Sequence, residues 1–386
     1  MQDSDRVLVI GGGIGGLTAA AALKASGVPV EVFERQSELR ELGTGVGIQR
    51  VAAQALSMLG LSDELREISG PGFEALRMLS WRDGRTLAAV PWHGEVVAVH
   101  RGELLEMLAR AVGDLSIVHC GVQCVGFRQD ASGVTALFAD GHAERGAALV
   151  GADGLHSVIR AKTIGDRAPR YSGATVWRAL PEYEHKDLGR SFAQQVYGPA
   201  SIFGMFPVDR RLFWWGSQIR PAGAIDPPIG RKQDLLNTFD GWPAEIQQVI
   251  EATSEQQIFR EDLYDRKPLA RWRDGRVTLL GDAAHPTTPT LGQGAGMAIE
   301  DGVVLGRELS AVGPLSAPGA VQAGLDSYEC KRIPRTSQIV DRSAKLAKLS
   351  HVNNPVALFM REQVLSAMPR RFWQLLWEQE RTYQIQ

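Results

Sequence analysis

The stretch that most limits the possible folds is residues 6–34, RVLVIGGGIGGLTAAAALKASGVPVEVFE. The apolar run before the glycines suits a strand buried on both faces of a parallel sheet. Leu17 to Ser26 reads as an Ala-rich helix stopped by Gly27, and Val30 to Phe33 as a second strand with Glu34 at its end. Gly11, Gly13 and Gly16 hold the G-x-G-x-x-G positions between strand and helix. In a dinucleotide-binding unit the first glycine turns the chain, the second admits a pyrophosphate, and the third lets helix and strand pack closely. The acid about twenty residues on accepts ribose hydroxyls and disfavours a 2′-phosphate, so this site is not read as one for NADP. FAD and NAD both remain compatible with it.

A second constrained stretch is residues 276–302, RVTLLGDAAHPTTPTLGQGAGMAIEDG. Val277 to Leu280 predicts another buried strand, and Asp282 follows its carboxyl end, where open α/β sheets bind ligands. Pro286 and Pro289 stiffen the next loop. Gly292, Gly294 and Gly296 expose backbone N–H groups, and a helix from Ala295 to Leu309 is predicted. Such a helix start carries unpaired donors and a partial positive charge. Ala148 to Ala152 predicts a third strand of this kind, ending in Asp153-Gly154.

Between these stretches, Gly43 to Ile48 forms another glycine cluster ahead of a helix, Ala52 to Leu59; it reads equally as a flexible loop. Arg101 opens a helix, where a cation opposes the dipole; it either meets an anion or is simply solvated. Strand-like pieces recur over Ala174–Leu180, Phe192–Tyr197, Ile202–Val208 and Leu212–Ile219, predicting an antiparallel sheet inserted into the α/β frame. Gln233 to Ala252 is helical with a break at Gly241-Trp242-Pro243. Asp326 to Ser350 predicts a long helix whose Lys and Arg residues form a solvated face, and Pro355 to Glu380 adds one or two amphipathic helices.

The 386 residues suffice for two domains, and a net charge of −2 offers no basic field for nucleic acid. No apolar run reaches membrane-spanning length, and the apolar start flows into glycines as a first strand rather than a signal peptide. Cys120 and Cys124, read as one strand, stand roughly 13 Å apart, too far for a disulfide. Cys330 stands alone, and the histidines show no metal-ligand spacing. A metal-free, reduced cytoplasmic protein is the expectation, as monomer or homodimer.

Three separated motifs coincide: Gly11 to Glu34, GADGLHSVIR at residues 151–160, and GDAAHPTTPTLGQGAGMAIED at residues 281–301. In this order they resemble the class A flavoprotein monooxygenases, the salicylate-hydroxylase-like aromatic hydroxylases and their epoxidase relatives, over nearly the whole chain. The resemblance implies an α/β fold: a Rossmann-like FAD-binding domain (1–72, 98–170, 268–325), an inserted antiparallel β-sheet substrate domain (73–97, 171–267) and C-terminal helices (326–386). It implies non-covalent FAD with Gly11, Gly13, Ile14 and Gly16 along the pyrophosphate and Glu34 on the adenosine ribose. Arg35, Gly47 and Arg101 match positions lining the same cofactor, and Cys124 matches a strand position near the adenine. Asp153 and Gly154 match the motif tied to both FAD and the nicotinamide donor. Asp282 matches the ribityl or pyrophosphate contact, and Gly292, Gln293, Gly294 and Ala295 match the pyrimidine edge of the flavin.

The implied activity takes hydride from a transient NADH or NADPH, adds dioxygen to give a flavin hydroperoxide, and hydroxylates or epoxidises an electron-rich aromatic or polyketide-like small molecule. Water is kept out so that peroxide is not released. The substrate is expected between the flavin and the inserted sheet, near Pro289 and Thr290. Strand alternation leaves two sets open, Ser201, Phe203 and Met205 or Ile202, Gly204 and Phe206. The first is favoured, with Gln195 and Tyr197 from the preceding strand and Arg178 as an anchor or a domain-seam ion pair. No catalytic residue is assigned; His285 belongs to the general motif and reads as structural. The urate-hydroxylating relatives place an acid at Thr290 and an arginine near Ile202, so urate is not expected. A flavin reductase without oxygen insertion and a non-enzymatic flavin-binding regulator are the rival readings; stoichiometric oxygen uptake separates the first of these from a hydroxylase.

Overall fold

The computed structural model describes residues 5–39, 44–165, 168–184, 192–226 and 230–385. Its centre is a five-stranded parallel sheet in the order Val277–Leu279, Ala148–Gly151, Val7–Ile10, Val30–Glu34, Val118–Cys120. Val7, Leu8 and Val9 are fully buried, as expected for a central strand covered on both faces.

The helix Ile14–Ala25 starts three residues earlier than its apolar pattern predicts, so Gly15 and Gly16 lie inside it. A Cβ on Gly16 would stand 1.9 Å from the Gly11 carbonyl oxygen, which is why this turn needs glycine. Gly11 has φ +113°, and a Cβ there would strike the Ala152 carbonyl oxygen at 2.3 Å.

The helix Gly294–Ala311 packs directly on Ile14–Ala25. A Cβ on Gly302 would come within 2.7 Å of the Ala19 nitrogen, and one on Gly306 within 2.5 Å of the Ala22 Cβ. A Cβ on Gly15 would lie 3.2 Å from that of Ala298. The pairing advances in the same sense along both helices, so they are parallel. Their N-termini point the same way, with Gly294 about one turn beyond Ile14.

The second sheet has seven strands in the order Phe259–Asp265, Arg170–Ala179, Arg211–Ile219, Ser201–Val208, Phe192–Gly198, Ala75–Ser80, Thr86–Pro91. It is not purely antiparallel: Phe192–Gly198 runs parallel to Ala75–Ser80. One face is covered by the helices Arg231–Thr238 and Ala244–Ala252. There Trp177, Phe203, Met205 and Trp214 pack with Phe239, Val249 and Ile250.

Several expectations are corrected. From Gly45 the glycine cluster is a strand, Gly45–Gln49, paired antiparallel with Val96–His100; Gly43 lies outside the described residues. Cys120 and Cys124 belong to different sheets, separated by a turn at Gly121, so the single-strand distance argument does not apply; both thiols are free. The long helix is Ala320–Ser350, and its charges do not all face solvent. Arg332 and Arg335 are buried because they meet buried acids of the neighbouring helix. Arg332 donates to Asp301 Oδ1 and Glu300 Oε2, both at 2.7 Å, and Arg335 Nε donates to Glu300 Oε2 at 2.9 Å. Among the described residues no helix is long and apolar enough to cross a membrane.

Candidate active site

A cavity of about 710 Å³ lies between the carboxyl ends of the parallel strands and the open face of the seven-stranded sheet. From the carboxyl ends of the parallel strands and the turns and helix start that follow them come Gly11, Gly13, Ile14, Glu34, Arg35, Asp153, Gly154 and Asp282, and Cys124 comes from a neighbouring antiparallel strand, Cys124–Gln129. Gly47 and Arg101 line it from the ribbon and the helix that follows it. Pro289, Thr290, Gly292, Gly294 and Ala295 come from the loop and helix start after Asp282. Arg178 and Gln195 come from the seven-stranded sheet.

Six residues expected at the site do not line the cavity. Gly16 is consumed by its contact with Gly11. Gln293 is buried, with its Oε1 lacking a partner among the described groups. Ser201, Phe203 and Met205 point to the opposite sheet face, where Phe203 stacks on Trp214 at 5.4 Å and meets Phe239 edge-on at 5.1 Å. The helices Arg231–Thr238 and Ala244–Ala252 cover that face, so the open face belongs to the alternate set, of which Phe206 lines the cavity. Tyr197 is on the open face but beyond the cavity, packed with Met78, Ile202 and Trp373.

The acids are held in different ways. Glu34 accepts from the Gly12 nitrogen at 2.7 Å and the Gln36 nitrogen at 2.8 Å. Asp153 caps the helix Val158–Ile164, accepting from Ser157 Oγ at 2.5 Å and the Val158 nitrogen at 2.7 Å. Burial raises its carboxyl above the usual range, against the lowering effect of these hydrogen bonds. Burial likewise raises the Cys124 thiol, which donates to the Gly126 carbonyl at 3.4 Å and is no thiolate nucleophile.

His285 is buried outside the cavity, with Nε2 2.5 Å from Asp301 Oδ2. Burial would raise the Asp301 carboxyl, but His285 and Arg332 outweigh it and hold it at about 2. Gly281, just before Asp282, donates its N–H to the same Asp301 oxygen at 3.1 Å. The network therefore fixes the turn that presents Asp282, a positioning role for His285. The sequence reading named Phe206 only in the set it did not favour and missed Phe213, Trp215 and Gln49, which also line the cavity. The signal for Trp215 was Gly204: a Cβ there would meet its indole at 2.1 Å, so an otherwise unexplained strand glycine marks the ring's resting place.

A family model described as an FAD binding domain matches residues 5–343. The chain is 36% identical to aurachin C monooxygenase/isomerase of Stigmatella aurantiaca over 376 residues, 95% of each chain. It is 34% identical to 3-amino-4-hydroxybenzoate 2-monooxygenase of Streptomyces cremeus over 381 residues, 95% of this chain and 93% of that one. The chain belongs to the class A FAD-dependent monooxygenases. Among solved structures, Klebsiella pneumoniae HpxO complexed with FAD and uric acid superposes on this monooxygenase with a TM-score of 0.87, at 29% identity, covering 96% of this chain and 95% of that one.

The residues of this monooxygenase fit the family's cofactor. The helices Ile14–Ala25 and Gly294–Ala311 start without a side-chain cap, and both starts border the cavity. Their free N–H donors suit the phosphates and the electron-accepting ring of FAD. The position of a Cβ on Gly13 has no atom within 4 Å, and one on Gly294 meets only Thr287 Cγ2 at 3.7 Å, so the backbone there is open to a ligand.

Proposed function

We propose that this monooxygenase uses NADH or NADPH and dioxygen to hydroxylate or epoxidise an electron-rich aromatic or polyketide-like small molecule. The overall balance is substrate, dioxygen, NAD(P)H and a proton giving oxygenated substrate, water and NAD(P)+. The observation that carries this is one continuous cavity with two uncapped, parallel helix starts at one end and an aromatic wall at the other. FAD, when bound, supplies the redox chemistry that draws electrons from the nicotinamide and activates dioxygen.

The chain's own residues divide the work. Gly11, Gly13 and Ile14 take the pyrophosphate, with Gly16 setting the turn beneath them. Glu34, Arg35 and Cys124 take the adenosine, and Gly47, Arg101, Asp153 and Asp282 the remainder of the chain linking it to the ring. Gly292, Gly294 and Ala295 face the flavin with backbone N–H groups, favouring negative charge there, with Gln293 buried behind them. The substrate lies against Phe206, Phe213 and Trp215, with Arg178, Gln195, Pro289 and Thr290 around it. Thr290 is tied through Thr288 Oγ1, at 3.2 Å, to Ser343 Oγ at 2.9 Å, so the long helix braces this loop. The aromatic wall excludes water from the reacting centre. We assign 1–72, 98–170 and 268–325 to the cofactor, 73–97 and 171–267 to the substrate, and 326–386 to bracing both, in a cytoplasmic monomer or homodimer.

The test is oxygen uptake by the FAD-loaded protein with NADH and with NADPH, across phenols, hydroxyquinolines and polyketides. Substrate-stimulated uptake matched by oxygenated product is expected. Nicotinamide oxidation with a reduced product and no oxygen consumption would replace the reading with that of a reductase.

A further inference from the structure

Four residues form one transverse row on the open face of the seven-stranded sheet. Gln195 pairs with Gly204, Gly204 with Trp215, and Trp215 with Arg178. Directly paired residues share a face. The bare Gly204 makes room for the Trp215 indole, which lies between the two polar ends of the row. Three strand spacings, roughly 14 Å between backbones, separate Gln195 from Arg178. Once both side chains reach inward, the gap accommodates a flat fused ring lying on the indole.

The Gln195 side chain is oriented from behind. Tyr197, two residues along the same strand and outside the cavity, donates its hydroxyl to Gln195 Oε1 at 2.5 Å. The Arg361 guanidinium lies 5.5 Å from the Tyr197 ring and donates to the Gly198 carbonyl at 3.2 Å and the Ser350 carbonyl at 2.7 Å, so the helix Pro355–Ala367 holds this corner. Burial raises the Tyr197 phenol well above its ordinary value, so the hydroxyl keeps its proton at neutral pH. With the carbonyl end of Gln195 occupied, its NH2 group is the end left for the cavity. The row's other polar member, Arg178, is a donor only, and also donates to Glu261 at 2.6 Å. Among the described residues, the carboxylates lining the cavity, Glu34, Glu38, Asp153 and Asp282, all come from outside this sheet.

We infer that Tyr197 is a positioning residue that fixes Gln195 as a hydrogen-bond donor in the cavity wall, and that the substrate is a flat fused-ring aromatic carrying an oxygen acceptor, a ring carbonyl or phenolic oxygen, set against it. This rests on the proposed function in taking the cavity as the substrate site. A ligand with an amine in place of that oxygen would oppose donor to donor and leave the Gln195 N–H groups without a partner.

The test uses the FAD-loaded protein and follows flavin absorbance during titration with two matched pairs, 1-naphthol against 1-naphthylamine and 4-quinolone against 4-methylquinoline. The wild type should bind the oxygen-bearing member of each pair about tenfold more tightly. Tyr197→Phe, which releases the Gln195 amide to rotate, should cut that preference to about threefold or less, and Gln195→Met should remove it, while FAD affinity stays at the wild-type value in both. Equal binding within both pairs, no binding of any of the four, or an undiminished preference in Tyr197→Phe would each overturn the inference. Oxygen uptake is read separately. A retained preference without NAD(P)H-dependent uptake would sink the proposed reaction and leave the Gln195 assignment standing; coupled uptake without the preference does the reverse.

Discussion

At the parallel-sheet end of the cavity the inward-facing groups are largely backbone: Gly11, Gly13, Gly292 and Gly294, with helix N–H groups behind them. At the other end they are side chains standing on strands: Phe206, Phe213, Trp215, Gln195 and Arg178. The first end is rigid for a reason found elsewhere in the molecule, since two helices are locked together by small residues and braced by buried ion pairs. The second end owes its shape to which sheet face the covering helices leave open. A backbone-built end serves one invariant ligand, whereas a side-chain-built end changes its ligand by substitution without disturbing the frame.

The largest expected effect comes from attacking the brace. Arg332→Met leaves Asp301 and Glu300 buried with a partner removed, which should cost about 3–5 kcal/mol of stability. The pH dependence follows the sign of the Asp301 shift. Its carboxyl is held at about 2, so its contribution is complete above the ordinary aspartate value and is lost as pH falls towards 2. Without Arg332 the carboxyl rises, and acid unfolding should begin at higher pH. Denaturant melts between pH 3 and 7 check this; superimposable curves for variant and wild type would show that the brace contributes nothing to the parallel-sheet end.

Two phenylalanines three residues apart separate the faces of the second sheet. Phe203→Ala empties a core position under Phe239 and should cost about 3–5 kcal/mol, with ligand affinity per folded molecule unchanged. Phe206→Ala opens the cavity wall and should raise the Michaelis constant and peroxide leakage, with the smaller loss of stability. Unfolding curves beside coupled oxygen and peroxide assays distinguish the two; interchanged phenotypes would reverse the assignment of faces.

This pair also marks where the sequence stopped being informative. Gly11, Gly13, Gly16 and Glu34 announce themselves because each answers a local demand: a positive φ, a close approach, a strand-end acid. The parallel pairing of Val7–Ile10 with Val30–Glu34 follows from one such local unit, whereas the places of Ala148–Gly151 and Val277–Leu279 do not. Alternation in Ser201 to Phe206 divides the strand into two faces but carries apolar residues on both, so the choice depended on helices some thirty residues later in the chain. Arg332 and Arg335 read as solvent-facing because their partners, Glu300 and Asp301, belong to a different helix; no spacing within Ala320–Ser350 encodes that contact. Tyr197 was expected beside the substrate, but it packs outside the cavity against Trp373, which lies far along the chain.

Glu34→Ala tests the parallel-sheet end at the carboxylate proposed to hold the adenosine. Losing charge-assisted hydrogen bonds should cost about 1.5–3 kcal/mol of FAD affinity, roughly tenfold to a hundredfold or more. Part of this would come through Gly12, whose N–H loses its acceptor. Glu34→Gln keeps an acceptor and should fall between the two. Fluorescence titration of the apoprotein measures all three, and equal affinities would take Glu34 out of the site.

The smallest effect belongs to Gly294→Ala, and it asks whether backbone exposure at the flavin matters beyond space. A Cβ at Gly294 has only Thr287 Cγ2 nearby, at 3.7 Å, so the protein itself tolerates the methyl group. Alanine also favours the helix by up to about 1 kcal/mol relative to glycine, so the variant should be as stable as the wild type or slightly more so. Stoichiometric FAD is expected to remain bound, because the residues proposed to hold its phosphates and adenosine are untouched. The methyl group instead stands between the helix start and whatever approaches its N–H groups. If those donors stabilise charge on the reduced ring, moving them outward by a few tenths of an ångström should slow flavin reduction several-fold and lower its midpoint potential. Stopped-flow reduction by NADH and NADPH, with a potentiometric titration, reads both. Wild-type rate and potential together would mean that this helix start supplies room for the ring but no electrostatic stabilisation, and the two ends of the cavity would then differ in shape alone.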